Sequence, residues 1–529
     1  VETLKPFRAR SMRVEFRPIF RRFLRDRRGN VAVIFAICCV PLITFIGCAV
    51  DYSMATRMKA KLQAAADGAA VAAVSQKAPG FIAAAAMTGN GSVTEGVNDA
   101  NNVFDANMKN VTAPPNLSRN STVTKTGIAV AASVQFSADV PVTFLKILGY
   151  QKLSVSGTSN ASASLPPYLD FYLTLDVSGS MGLPSTSAEA VRMQSINPDN
   201  FRQYPTGCTL ACHFAPQNSA CTDSGTQGYP TNNYCLGYAI SRVSQSGYAG
   251  LLSTTTVNST YPKGKKLSSS VVSGLPGSLY STLPTVANCP TAGTDSCIQL
   301  RLDAVGYAVN QLFITANSSM KVANQFRIGI YPFIQYLDKN YFPLTSSING
   351  SSTNPSTINY AAANLASLLD TNMNTALGSG GTHIDNALSS LNSLIVSAGD
   401  GSASSNARPY VFLVTDGAQD PQVKGVPNGG WSGSNHATVI NPATVCKPLK
   451  DKGIIISVLY IPYQVIDPVN ASFANDEDDY ANWNIPLIPA SLQGCATPGY
   501  FYTANTPADI TAALNAMFNQ ALITAHITK

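Results

Sequence analysis

Residues 168–182 read YLDFYLTLDVSGSMG, and the rest of the chain is best read outward from them. Positions 168–176 are mostly apolar and aromatic, the pattern of a strand buried on both faces. The strand ends in Asp176-Val177-Ser178-Gly179-Ser180. One carboxylate and two hydroxyls at alternate positions, with Gly179 permitting a sharp turn, can aim their oxygens at one point. Hard cations such as Mg2+ take oxygen ligands at about 2.0–2.1 Å in octahedral geometry. Asp and Ser are also ordinary turn formers, so an Asx turn accounts for the bare motif equally well.

Two further segments have matching chemistry. Ser379-Gly380-Gly381-Thr382 precedes a helical pattern at 385–396 and offers the Thr382 hydroxyl. Thr415-Asp416-Gly417 ends the apolar run 410–415, YVFLVT, and offers the Asp416 carboxylate. Between and beyond them lie strand patterns at 325–334, 342–344, 454–461 and 500–502, and helical patterns at 300–315 and 510–523. Alternating strands and helices predict an α/β unit, a doubly wound and mostly parallel sheet covered on both faces. Ligands of such sheets sit beyond the carboxyl ends of the strands. The stretch 183–296 breaks the alternation. It is rich in Ser, Thr, Gly, Pro and Asn, and with Cys297 it holds six of the eight cysteines after position 50. It is too long for a plain loop and reads as a Cys-rich, disulfide-stapled insertion.

Asp176, Ser178, Ser180, Thr382 and Asp416 together resemble the metal-ion-dependent adhesion site of von Willebrand factor A domains. The resemblance covers residues 168–182 and 297–529. It implies that these five residues bind a divalent cation, Mg2+ or alternatively Mn2+ or Ca2+, with one position left for an acidic group of a protein partner. Asp176 and Thr382 are 206 positions apart, and setting aside the 114 residues of the insertion leaves 92, an ordinary spacing for the family. Two carboxylates give such a site a charge of −2. The resemblance implies binding rather than catalysis, and no general base is evident nearby; His383 reads as structural.

Charge and hydropathy place this unit in a cell. The 35 basic and 29 acidic residues leave a net +6, but residues 1–30 alone carry +7 and the remaining chain −1. A nucleic-acid-binding body is not supported by that distribution. Residues 31–50, VAVIFAICCVPLITFIGCAV, are 20 uncharged residues that include Pro41. At about 1.5 Å per residue they span the ~30 Å of a bilayer core. Basic residues before the span predict a cytoplasmic N-terminus and an exported remainder. The sequence thus divides into a basic cytoplasmic tail at 1–30, a transmembrane helix at 31–50, a helix with a small β-containing domain at 51–165, and the α/β unit at 166–529. In the third segment Met54, Met58, Leu62, Ala65, Ala69 and Ala72 form a helical stripe. It could pack against another chain's helix or cover its own core.

Arg27-Arg28-Gly29-Asn30-Val31-Ala32-Val33-Ile34-Phe35, Ala49-Val50-Asp51-Tyr52 and Leu62-Gln63-Ala64-Ala65-Ala66-Asp67 resemble the TadE/TadG-like N-terminal region of bacterial tight-adherence (Flp) pilus assembly proteins. Pilin-like relatives carry Glu five residues after the cleavage Gly, where this chain has Ile34, so a retained anchor is expected. The resemblance implies a single-pass protein of the bacterial inner membrane. Its C-terminal domain would be periplasmic or surface-exposed, with pilus-assembly or envelope components as partners. The alternative is a pilus-independent receptor or adhesin that binds an acidic ligand through the same site; a metal-dependent hydrolase ranks below both.

Cys38, Cys39 and Cys48 lie in the span, and eight cysteines follow it. In an oxidising compartment the default is disulfides, with Cys289 to Cys297 and Cys446 to Cys495 as the neighbouring pairings. Cys208-Thr209-Leu210-Ala211-Cys212-His213 has three residues between its cysteines, one too many for c-type haem, and disulfides are preferred to zinc there. Asp476-Glu477-Asp478-Asp479 lacks the alternation of a calcium loop and reads as a solvated loop.

Overall fold

The computed structural model describes residues 30–183, 185, 186, 257, 258, 266, 267, 300–352, 354–370, 374–426, 430–463, 465 and 477–527. The expected pairing of Cys289 with Cys297, the 208–213 motif and nearly all of 183–296 lie outside them. The chain divides into two compact units, Val1–Ser164 and Leu165–Lys529.

In the first unit the expected span and the helix after it are one helix, α1, Asn30–Val74, with Pro41 inside it. Among the described residues it is the one helix long and apolar enough to cross a membrane. Its first half leaves Phe35, Val40 and Phe45 exposed. Its second half covers its own chain's core, packing on α3 (Thr94–Met108) and on strands β3 (Ala129–Pro141) and β4 (Lys152–Ser164). The buried stripe differs from the expected one. Leu62, Ala65 and Ala69 are buried as expected, but Met54 is 51% exposed and Ala55 takes its place at 5%. Small side chains allow the helix to approach the sheet closely, and that closeness selects an alanine over a methionine. A short helix α2 (Pro79–Ala86) lies between α1 and α3. Strand β1 (Gly91–Ser92) and β2 (Ser118–Thr126) complete a four-stranded antiparallel sheet in sequential order.

The second unit is built on a six-stranded sheet. Its strands are β5 (Leu169–Asp176), β6 (Phe326–Phe333), β7 (Phe342–Thr345), β8 (Arg408–Thr415), β9 (Ile455–Tyr460) and β10 (Phe501–Thr503). The order is β10-β9-β8-β5-β6-β7, and every pairing is parallel except β6 with β7. Strand β5 sits between β8 and β6 and is buried along its whole length. Its residues alternate between two cores, as the pleat requires. Phe171, Leu173 and Leu175 face a layer containing α4 (Arg301–Ser319) and α7 (Pro507–Ile527), where Phe171 meets Phe518 at 5.2 Å between ring centroids. Tyr172 faces the opposite layer, containing α5 (Ile384–Leu394) and α6 (Ile488–Cys495). The buried Asp170 is matched by Arg327 on β6, which donates to both carboxylate oxygens at 2.7 and 2.6 Å.

Cys446 and Cys495 form a disulfide with Cα atoms 5.2 Å apart, the pairing expected from sequence. The acidic run departs from expectation: Glu477–Asn484 is helical rather than a loop, while Asp476 lies outside the described residues. Short helices such as Pro442–Val445 and Lys447–Asp451 also escaped the sequence reading, being shorter than the window in which a helical period is visible.

Candidate metal centre

The parallel sheet brings the ends of β5 and β8 side by side, because Val414 pairs with Leu175 and the next residues turn out together. Asp176 closes β5 and is fully buried. Its Oδ1 accepts hydrogen bonds from the Ser178 amide (3.0 Å) and the Ser178 hydroxyl (2.6 Å). Its Oδ2 accepts from the Thr415 hydroxyl at 2.7 Å, across the gap between the two strands. Thr415 Oγ1 in turn accepts from the Gly417 amide at 2.9 Å, which shapes the turn after Asp416. Ser178 and Ser180 place their hydroxyl oxygens 3.4 Å apart, on either side of the first residue of a one-turn 3-10 helix, Gly179–Gly182.

Asp416 is equally buried, and its two oxygens have different fates. Oδ2 faces the Arg301 guanidinium at 3.4 Å. Oδ1 has no hydrogen-bond partner. Burial, and then the negative charge of Asp176, push the Asp416 carboxyl up to about 7, against the pull of Arg301, the Ser180 hydroxyl and the Ala418 amide. Burial also raises Asp176 despite its bonds to Ser178 and Thr415. Two buried carboxylates, both raised by burial and one raised further by the charge of the other, favour an added positive charge between them.

Thr382 is tied by its main chain to the loop that follows Asp416. Its amide and carbonyl exchange hydrogen bonds with Asp420, both at 3.0 Å, four residues beyond Asp416. The His383 amide donates to the carbonyl of Ile334, just past β6. His383 Nε2 lies 3.1 Å from the Gln422 carbonyl, so this buried histidine staples two loops together, as its structural reading anticipated. Gly381 has φ +34, and a Cβ there would stand 2.1 Å from the Asp420 carbonyl oxygen, so the close pairing of the two loops requires glycine. The buried Asp370 accepts from the Ser379 hydroxyl and the Gly380 amide at 2.7 and 2.9 Å and so holds the loop from behind. Asp176, Ser178, Ser180 and Asp416 are thus interlinked through Thr415 and charge. Thr382 is positioned through its main chain.

Arg301, Thr415 and Asp370 were not picked out from sequence. Arg301 is the decisive addition. It opens α4, is 3% exposed, and donates to Asp416 and to the Pro462 carbonyl at 3.3 Å. Its amide donates to the Leu183 carbonyl at 2.9 Å, which ties the residues before and after 184–300 to each other. The sequence reading assigned the site a charge of −2; with Arg301 inside it the balance is −1. Arg301 shares its segment with Asp303, so nothing in the local sequence marks it as buried.

The donor set suits a hard cation. Among the described residues no three His, Cys, Asp or Glu side chains cluster as a metal cage. The convergent groups are two carboxylates and several hydroxyls, all oxygen, and one buried carboxylate oxygen lacks a donor.

A family model for Flp pilus-assembly TadE/G-like proteins matches residues 29–78. The N-terminal region is TadE/G-like. This TadE/G-like region takes in the whole of α1 and ends just before α2. No curated protein matches the chain. Three of the similar solved structures are pilus proteins. The PilB minor pilin of Streptococcus sanguinis aligns with TM-score 0.31 and 9% identity over 79% of this chain and 82% of its own. The von Willebrand factor domain of the type V pili tip protein Mfa5 of Porphyromonas gingivalis gives 0.29 and 10% over 69% and 99%. The pilus adhesin SpaC of Lactobacillus rhamnosus GG gives 0.28 and 12% over 78% of this chain, which spans only 35% of the SpaC chain. The α/β unit itself is defined by its six-stranded and mostly parallel sheet. At these scores nothing about ligands passes from those proteins to this one.

Proposed function

We propose that the protein is a membrane-anchored, metal-dependent protein-binding component of the tight-adherence (Flp) pilus assembly and adhesion system. The observation that carries the metal-dependent part is the buried, unpartnered Oδ1 of Asp416 beside Asp176. Asp176, Ser178, Ser180, Thr382 and Asp416 would hold Mg2+, or Mn2+ or Ca2+. A bound divalent cation would supply an electrophilic point for an acidic group of a protein partner. The chain's own residues do the positioning. Thr415 and Ser178 fix both oxygens of Asp176, and Asp420 and His383 fix the loop of Thr382. Arg301 reduces the protein's own charge to −1, so a dication would leave a surplus positive charge that suits an anionic partner. We read the site as one that binds rather than turns over.

The TadE/G-like region supports the pathway and the class of partner, pilus-assembly or envelope components. The apolar half of α1, with the basic residues before it, supports a single-pass inner-membrane anchor with the N-terminus in the cytoplasm. The Cys446–Cys495 disulfide suits an exported, oxidising location for the α/β unit.

The test is thermal unfolding of the full chain in lipid nanodiscs, in EDTA and in millimolar Mg2+, Mn2+ or Ca2+. Ligand at a hundredfold excess over its Kd should stabilise the native state by about 2.7 kcal/mol. The gain should vanish in Asp176→Ala. Equal gains in both proteins, or none in either, would sink the metal site. Deletion of the gene with no change in surface pili or attachment would sink the pathway.

A further inference from the structure

We propose that the turn at Leu145–Leu148 is a second membrane contact, seated in the headgroup and upper acyl region of the leaflet at the exported end of α1. The inference rests on the reading of α1 as a membrane anchor and adds to it a surface and an orientation.

The turn is fastened to the helix at two points. Asp51, buried at the polar end of the apolar run, accepts hydrogen bonds from three consecutive amides. These are Thr143 (3.0 Å), Phe144 (2.7 Å) and Leu145 (2.7 Å). Phe144 caps the turn and Leu145 opens it, and a short helical turn leaves such amides unpaired at its start; Thr143 precedes them, and Asp51 pairs all three from 92 to 94 residues away. One helical turn earlier, Gly47 makes room for Phe144. A Cβ on Gly47 would fall 2.4 Å from the Phe144 Cγ. Gly47 and Asp51 are four residues apart, about 6 Å along the axis. The turn is therefore held at the depth of the last turn of the apolar run.

What the turn displays at that depth is apolar. Ile147 is 68% exposed, Leu148 57% and Tyr150 58%, an unusual cluster for a water-facing turn of so few residues. Lys146 stands among them and is exposed as well. Branched aliphatics at the tip, a tyrosine beside them and a lysine able to extend its amine outward form the chemistry of the membrane interface. The turn also meets α1 beside an exposed apolar surface already read as lipid-facing: Ile46 and Val50 lie within one helical turn of Gly47 and are exposed too. That adjacency selects lipid over a protein partner. Because Asp51 and Phe144 lock the turn to one side of the helix, seating it would fix the rotation and tilt of α1 about the bilayer normal.

The experiment uses the full chain with Trp431 and Trp483 changed to Phe, reconstituted in phosphatidylcholine–phosphatidylglycerol nanodiscs. Single tryptophans are introduced as Leu148→Trp and, separately, as Phe45→Trp within the apolar run. Lipids brominated near the carbonyl end of the acyl chains should quench Leu148→Trp at least about twofold, as befits a side chain in the interfacial layer. Adding Asp51→Asn should abolish that quenching and leave Phe45→Trp quenched by lipids brominated deeper in the chain. If Phe45→Trp is quenched while Leu148→Trp is reached only by aqueous acrylamide, the turn faces water and the inference is overturned although the anchor stands. If Phe45→Trp is itself unquenched, the anchor reading fails. A Leu148→Trp emission that is blue-shifted, unquenched by any brominated lipid and dependent on the number of chains per disc would assign the surface to a second copy instead.

Discussion

Two sets of buried acids in the molecule are treated in opposite ways. In the first, Asp51 has three amide donors from one turn, and Asp139 has Asn116, Lys152 and Ser154 around it. Those partners, Asn116 foremost, hold the Asp139 carboxyl down at about 2. In the second, Asp176 and Asp416 sit at the same sheet edge, burial raises both, the charge of Asp176 raises Asp416 further, and one oxygen is left unpartnered. A carboxylate surrounded by donors is finished by the fold and stabilises it. A pair left short of positive charge is the arrangement on which the proposed cation site rests.

The comparison can be broken most forcefully through the frame that carries the open pair. Replacing Cys446 and Cys495 by Ala removes a crosslink with a sequence separation of 49, worth about 4 kcal/mol if it acts through the unfolded chain. The disulfide lies among the side chains of the α5 and α6 layer, away from the hydroxyls. Denaturant unfolding should therefore show a large loss of stability, while the metal-induced gain stays intact. A loss of both together would mean that the pair depends on its frame more closely than its local bonds suggest.

Arg301→Met sharpens the contrast at the site itself. Breaking a buried ion pair by removing one partner costs about 3–5 kcal/mol, so the metal-free protein should be markedly less stable. The site charge would fall from −1 to −2, and metal should then restore more stability than it adds to the unaltered protein. Calorimetric titration with Mn2+ would give a tighter Kd for the variant. An unchanged Kd would show that Arg301 does not set the charge of the site.

The smallest effect is on pH. The folded Asp416 carboxyl lies at about 7, above its ordinary unfolded value of 3.8, so the folded chain holds this proton more tightly than the unfolded one. Without metal, the contribution of this carboxyl to stability should be full below about 4 and be lost as pH rises toward 7, flattening above it. Metal competes with the same proton, so the metal-induced gain should grow by about 1.4 kcal/mol per pH unit below about 7 and then level off. Thermal unfolding at pH 5.5, 6.5 and 8 with and without Mg2+ reads this directly. Asp139, depressed rather than raised, should do the reverse: its contribution is present above the ordinary carboxylate range and is lost as pH falls through about 2.

Much of the fold is legible in the sequence itself. The strands of the sheet announce themselves because parallel strands buried on both faces are unbroken apolar runs, as in YVFLVT at 410–415. The hydroxyl and carboxylate loops were legible because they sit where such runs stop. What stayed hidden depends on distance in the chain or on close packing. Asp51 follows the apolar run so directly that it reads as a membrane boundary, and its partners are more than 90 positions away. Arg301 looks like any solvated helix residue until the fold turns it inward against Asp416, 115 positions on. The alanine-rich second half of α1 offers several stripes of equal merit. Only the approach of β3 and β4 decides that Ala55 and not Met54 is covered.

The hydrogen bond from the Arg301 amide to the Leu183 carbonyl bears on how such a protein can change over generations. The polypeptide leaves and rejoins the sheet unit at adjacent points, like wires entering and leaving one socket. Lengthening what lies between adds only about 0.6 kcal/mol of closure entropy per doubling. Neither the strands nor the acids beside the socket need move to accommodate it. A change in the length of chain between Leu183 and Arg301 therefore costs the sheet little.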